Sequence, residues 1–148
     1  SYQNWEIIFW DNGSSDNSSL IAKSYDEKLK YFHSSKTTSL GIARNMAMKK
    51  ASGKYVTFLD CDDLYLPERI EFQANDMQKN NTVLSFGSWI EINALGDVVK
   101  RHKFKSQSGN FFEKLLYKYN VNFQTLMIDN DFLKKKKIHF FPRVNLFT

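Results

Sequence analysis

Cysteine, proline and glycine are scarce in this chain: one, two and six of 148 residues. The lone Cys61 excludes an internal disulfide and fits a reducing compartment. No Gly/Ser-rich linker, internal repeat or low-complexity tract divides the sequence, so residues 1–148 read as one domain. No apolar run approaches the ~18 residues that a membrane span needs. The N-terminus carries Trp5 and the apolar residues 7–10, without the basic region or cleavage site of a secretory signal. His33, His102 and His139 lack metal-ligand spacing.

What is present has the composition of a globular protein, 42% hydrophobic and 16% aromatic, in a length that can enclose a core. Phe111, Phe112, Tyr117, Tyr119, Phe123, Phe140 and Phe141 read as core packing rather than as a sugar-stacking surface. The net charge of +5 is uneven: residues 100–148 hold 11 Lys/Arg against 3 Asp/Glu, and residues 1–99 hold 10 against 13. A basic C-terminal third suits solvated surface, anionic lipid, a phosphorylated acceptor or nucleic acid. Its lysine run at 134–137 reads first as charge at a helix end.

Residues 5–10 form a nearly continuous apolar run, the pattern of a parallel strand covered on both faces. The run stops at Asp11-Asn12-Gly13-Ser14-Ser15-Asp16, a turn rich in helix N-caps. Leu20, Ile21, Ser24, Tyr25 and Lys28 then follow helical spacing, and residues 29–33 read as a strand. After a polar loop at 34–39, a helix is predicted from about Gly41 to Ala51, with Gly53 placed to cap its end. A strand at 55–59 follows, then a helix opened by Pro67 with Ile70, Ala74 and Met77 on one face. This alternation argues for an α/β domain with a mostly parallel central sheet. Beyond it the sequence predicts a long strand at 83–92, a hairpin through 93–99, a helix near 111–119 and a strand near 125–128.

The most informative motif is Asp60-Cys61-Asp62-Asp63, directly after the apolar run. Open α/β sheets bind ligands at the C-terminal ends of their strands. Carboxylates crowded there repel one another unless a cation or protons neutralise them. Mg²⁺ and Mn²⁺ take oxygen ligands, and Mg²⁺ commonly uses one or two carboxylates together with substrate phosphates. Asp62 is the expected direct metal ligand, Asp60 is expected to meet ribose or a metal-bound water, and Asp63 supports them. The competing reading has Asp60 and Asp63 as caps of the strand-to-helix turn. In the first turn, Asp11 at a strand end can accept the imide N–H of a pyrimidine, and Gly13 permits close backbone approach. Arg44, early in a helix, can reach a base, ribose or diphosphate, or can lie exposed.

Together, Asp11-Asn12-Gly13-Ser14-Ser15-Asp16, Gly41-Ile42-Ala43-Arg44-Asn45, Ala51-Ser52-Gly53-Lys54-Tyr55 and Phe58-Leu59-Asp60-Cys61-Asp62-Asp63 resemble the nucleotide-sugar-binding half of the family 2 glycosyltransferases. The resemblance covers essentially the whole chain and weakens after about residue 92. It implies a GT-A-like fold: a Rossmann-like nucleotide-binding half at 1–92 with helices on both faces, and a partial acceptor-side half at 93–148 containing a β-hairpin. It also implies inverting transfer from a UDP-sugar to a glycan or lipid-linked acceptor, with Mn²⁺ or Mg²⁺ as cofactor. Asp11, Gly13, Ser14, Arg44, Asp60 and Asp62 match the nucleotide-sugar-binding residues, and Asp62 and Asp60 the metal ligands. Asn12 stands where the family usually has a second acid, and Ser39 where it often has Asn.

The resemblance further implies a strand and helix ahead of Ser1 and a catalytic acidic pair after Thr148, so the chain reads as a fragment whose general base lies outside it. Biosynthesis of a bacterial surface polysaccharide is expected, in the cytoplasm or at the inner face of the membrane, with peripheral contact through the basic C-terminal third and no nucleic acid. Two rival readings are a sugar-phosphate nucleotidyltransferase, which would need a Gly- and basic-rich phosphate loop, and a basic nucleic-acid-binding module.

Overall fold

The computed structural model describes residues 2–104 and 121–141. They fall into two compact units, one drawn from residues 2–56 and 130–141, the other from residues 57–104 and 121–129. Strands and helices alternate from residue 7 to residue 80, as in an α/β protein, and three strands follow in succession over residues 84–102. The helix expected near 111–119 lies outside the described residues.

In the first unit, β1 (Ile7–Asp11) pairs in parallel with β2 (Leu29–His33), in a register that sets Ile7 beside Leu29 and Asp11 beside His33. Phe9 therefore stacks along Tyr31, and Trp10 along Phe32, on opposite faces of the ribbon. Residues 7–10 are half-buried rather than fully covered. The helices that contact the pair are short: α1 (Ser18–Lys23) has six residues and α2 (Leu40–Met48) nine. In α1 only Ala22 is buried, and Leu20 and Ile21 face solvent.

Ser39 caps α2, its hydroxyl accepting from the Ile42 N–H. The helix ends at Met48, earlier than the apolar spacing suggests, and Gly53 does not cap it. The Gly53 N–H donates instead to Glu6 Oε1 at 3.0 Å, and its carbonyl accepts from Asn130 Nδ2 at 2.7 Å. Asn130, 4% exposed, opens α4 (Asn130–Lys135), and its own N–H donates to the Lys54 carbonyl. Among the described residues, Ala22, Ala43, Val56 and Leu133 are the buried apolar residues of this unit.

The strand β3 (Tyr55–Thr57) carries the chain from the first unit into the second. It is two residues shorter than the apolar run predicts, because Phe58 and Leu59 leave extended pairing. The helix α3 (Arg69–Asn80) begins two residues after Pro67. Its Ala74 and Met77 are buried as the spacing predicts, and Asn81 ends it in a left-handed conformation. The predicted strand at 83–92 is two strands, β4 (Leu84–Ser85) and β5 (Trp89–Ile92), because each half has a different partner. β4 runs antiparallel to β7 (Met127–Asp129), which follows a single 3₁₀ turn at Phe123–Thr125. β5 runs antiparallel to β6 (Val98–His102). The predicted hairpin turn is present: Asn93 Oδ1 accepts from the N–H groups of Leu95 and Asp97, and Gly96 takes a positive φ. Met77 and Met127 are the most deeply buried side chains described, each contributing about 2 kcal/mol of hydrophobic stabilisation.

Candidate functional site

Asp11 closes β1 and is 3% exposed. Its Oδ1 accepts from the Ser14 N–H at 2.7 Å, and its Oδ2 accepts from the Tyr31 hydroxyl at 2.6 Å. His33 Nδ1 lies 3.5 Å from the same Oδ2. The parallel register explains this set, since Phe9/Tyr31 and Asp11/His33 share one face. The Tyr31 hydroxyl, followed by the Ser14 N–H, holds the carboxyl well below the usual carboxylate range despite its burial. The group is therefore an ionised acceptor. A carboxylate offers about four lone-pair sites, and Tyr31, the N–H and side chain of Ser14, and His33 are its neighbours here.

The next residues dock the turn against the loop before α2. Asn12 Nδ2 donates to the Thr38 carbonyl at 2.8 Å, while Asn12 Oδ1 accepts from the Thr38 N–H at 3.2 Å and hydroxyl at 2.9 Å. An aspartate at this position could accept two of these bonds but could not donate the third. Gly13 has φ +87°, and a Cβ there would lie 3.0 Å from Thr37 Oγ1 and 3.1 Å from the Thr37 nitrogen. Only glycine fits both demands. Asp11, Gly13 and Ser14 are thus brought together in one turn.

Arg44 sits half-buried in α2, its guanidinium carbon 5.6 Å from the Phe140 ring centroid. The same helix carries two features that the sequence does not advertise. Asn45 bonds the Phe140 backbone, and a Cβ on Gly41 would come within 2.5 Å of the Phe141 carbonyl oxygen. Elsewhere in this unit, Glu6 collects the Lys30 ammonium at 2.6 Å, the N–H and hydroxyl of Ser52 at 2.7 Å each, and the Gly53 N–H at 3.0 Å. Burial pushes the Glu6 carboxyl up, but the bonds from Lys30, Ser52 and Gly53 outweigh it and bring it to about 2. The Ser52-Gly53 pair of the third motif is therefore an anchor for Glu6.

In the second unit, Asp60, Cys61, Asp62 and Asp63 form a turn in which the Asp63 N–H donates to the Asp60 carbonyl at 3.1 Å. Asp60 is half-buried, and Cys61, Asp62 and Asp63 are exposed. Partial burial, then the charges of Asp62 and Asp60, raise the Asp63 carboxyl above its ordinary value. Asp63 therefore lies within reach of the charges of Asp60 and Asp62. Among the described residues no three His, Cys, Asp or Glu side chains converge to enclose an ion. A donor set of one or two oxygen ligands from this turn suits a hard cation that keeps waters and takes phosphate oxygens, and an exposed thiol adds nothing for such an ion.

The family model for glycosyl transferase family 2 matches residues 1–140, and the chain belongs to that family. It is 35% identical over 129 residues to an uncharacterized glycosyltransferase of Rickettsia conorii, covering 86% of this chain and 21% of that protein. It is 31% identical over 134 residues to UDP-Glc:alpha-D-GlcNAc-diphosphoundecaprenol beta-1,3-glucosyltransferase WfgD of Escherichia coli, covering 90% of this chain and 52% of that protein. The chain thus spans from a fifth to a half of the length of these relatives. Its fold is similar to that of S. aureus TarS 1–349 in complex with UDP-GlcNAc, with a TM-score of 0.69 at 20% identity over 90% of this chain and 39% of that one. The GT-A-like class expected from the sequence is therefore observed.

Proposed function

We propose that the protein transfers a sugar, with inversion, from a UDP-sugar to a glycan or lipid-linked acceptor in the assembly of a bacterial surface polysaccharide. The observation that carries this reading is the turn at 60–63, which gathers three carboxylates just past the end of β3 and is closed by the Asp63 N–H on the Asp60 carbonyl. Asp62 and Asp60 would hold Mn²⁺ or Mg²⁺, with Asp63 supporting their charge. When bound, such an ion offsets the negative charge that builds on a departing diphosphate. Asp11, ionised at the end of β1, takes the imide N–H of the uracil. Gly13 and Ser14 let the donor approach the backbone at the head of α1, and Arg44 supplies positive charge toward the nucleotide.

Support for a lipid-linked acceptor comes from the name of the E. coli relative, whose acceptor is a diphosphoundecaprenol-linked sugar. Among the described residues no helix is long and apolar enough to cross a membrane. Action at the cytoplasmic face, with the lysines at 134–137 meeting anionic lipid, completes the proposal. Calorimetric titration with UDP, with and without Mn²⁺, tests it. Mn²⁺ is expected to strengthen binding, and Asp62→Ala to remove that gain. Metal-dependent affinity untouched by Asp62→Ala refutes the assignment.

A further inference from the structure

The acidic turn is closed at its base by Tyr65, a side chain that no sequence motif singles out. The Tyr65 hydroxyl donates to the Phe58 carbonyl and lies 2.9 Å from Thr57 Oγ1. Residues 58–65, with all three carboxylates among them, therefore form a loop whose ends meet at one oxygen. Arg69 seats that tyrosine. Its guanidinium carbon is 3.8 Å from the Tyr65 ring centroid, and its Nη2 donates to Thr57 Oγ1 at 3.0 Å and to the Leu126 carbonyl at 3.2 Å. Arg69 Nε donates to Gln73 Oε1 at 3.0 Å, and Gln73, 8% exposed, donates in turn to the Thr125 carbonyl at 3.0 Å.

The protons in this cluster can be counted. The Tyr65 proton goes to the Phe58 carbonyl and the Thr57 proton to the Leu126 carbonyl at 2.6 Å, so the 2.9 Å contact between the two hydroxyls has no proton of its own. Arg69 Nη2 lies over the same pair, donating both to Thr57 Oγ1 and to the Leu126 carbonyl. The cation thus adds N–H donors to a cluster in which two hydroxyl protons face three oxygen contacts.

We propose that Tyr65, seated by Arg69 and Thr57, is a positioning residue that holds Asp60 and Asp62 ready for a cation-bound diphosphate. This rests on the reading of the acidic turn given above. A turn ordered before the ligand arrives spends less of its binding free energy on organising the loop.

The test is UDP titration of the intact protein with and without Mn²⁺. Tyr65→Phe removes only the hydroxyl and is expected to lower the Mn²⁺-dependent affinity roughly three- to tenfold. Metal-free UDP binding and the near-UV circular dichroism are expected to stay as in the wild type. Thr57→Val is expected to act in the same direction and Thr57→Ser, which keeps the hydroxyl, to restore binding; this pair carries the comparison should Tyr65→Phe not fold. Asp62→Ala is run beside them. Retention of the Mn²⁺ effect in Asp62→Ala defeats the reading of the turn, and the positioning role with it. Loss in Asp62→Ala with wild-type behaviour in Tyr65→Phe leaves that reading intact and overturns the role of Tyr65. An equal loss with and without Mn²⁺ in Tyr65→Phe also overturns it, since that reports a loosened fold.

Discussion

Asn45 and Phe140, 95 positions apart, exchange two hydrogen bonds: Asn45 Nδ2 donates to the Phe140 carbonyl at 2.7 Å, and the Phe140 N–H donates to Asn45 Oδ1 at 2.8 Å. The amide serves Phe140 as the backbone of an adjacent strand would. It leaves neither polar group of that residue for water to satisfy. One turn earlier on α2, Gly41 admits the Phe141 carbonyl. A helix face built from a glycine and an asparagine thus receives the segment that leads out of α4.

Gly41→Ala is expected to destabilise the protein by about 1–3 kcal/mol, because its Cβ would lie 2.5 Å from the Phe141 oxygen. Gly87→Ala, where a Cβ meets no atom within 4 Å, is expected to change stability by less than about 0.5 kcal/mol. Urea unfolding midpoints compare the two. Equal effects would contradict the close approach at Gly41.

Glu6 should make stability depend on acid. Its carboxyl falls from an ordinary value of 4.5 to about 2 in the folded protein. A depressed acid stabilises the fold above its unfolded value, and that contribution is lost as pH drops from 4.5 toward 2. Half-exposure of its partner Lys30 discounts the gain to about 2 kcal/mol. Glu6→Gln should lower stability at pH 7 and flatten the acid limb of the unfolding curve. A wild-type acid limb in that variant would show that Glu6 is not its source.

Asp63 behaves in the opposite sense. Burial and the neighbouring charges raise its carboxyl, so its ionised form at neutral pH weakens the fold, and protonation at lower pH relieves it. Asp63→Asn is expected to stabilise the metal-free protein by roughly 0.2–1 kcal/mol at pH 7, the scale of exposed charge pairs. The gain should shrink as pH falls and as Mn²⁺ is added. Thermal melts at pH 7 and at a lower pH, with and without Mn²⁺, measure this. A variant that melts below wild type in metal-free buffer at pH 7 would remove the argument from repulsion.

Much of the element order was legible in the chain. The strand at 29–33, the buried Ala74 and Met77 of α3, and the Asn93 turn follow from local pattern and turn chemistry, which need no partner. The run at 83–92 misled because its strand propensity is continuous while its partners change from β7 to β6. Gly53 misled for a related reason: a glycine after a helical pattern suits a cap, yet Glu6 and Asn130 claim its backbone first.

Residue type and order by themselves determined the family, the acidic turn after an apolar run and the glycine-bearing turn after Asp11. Those features rest on chain chemistry that acts within a few positions: an apolar run that extends, a positive φ that only glycine tolerates, and carboxylates that repel. Tertiary structure alone decided that Tyr31 and Ser14 hold Asp11, that Asn12 grips Thr38, that Asn45 receives Phe140 and that Tyr65 clasps the acidic loop. The hydrogen bonds that Tyr31, Asn12 and Asn45 make join residues 20 to 95 positions apart. A hydrogen bond forms within about 3 Å, and such contacts arise only from strand register and helix packing that bring distant side chains within reach.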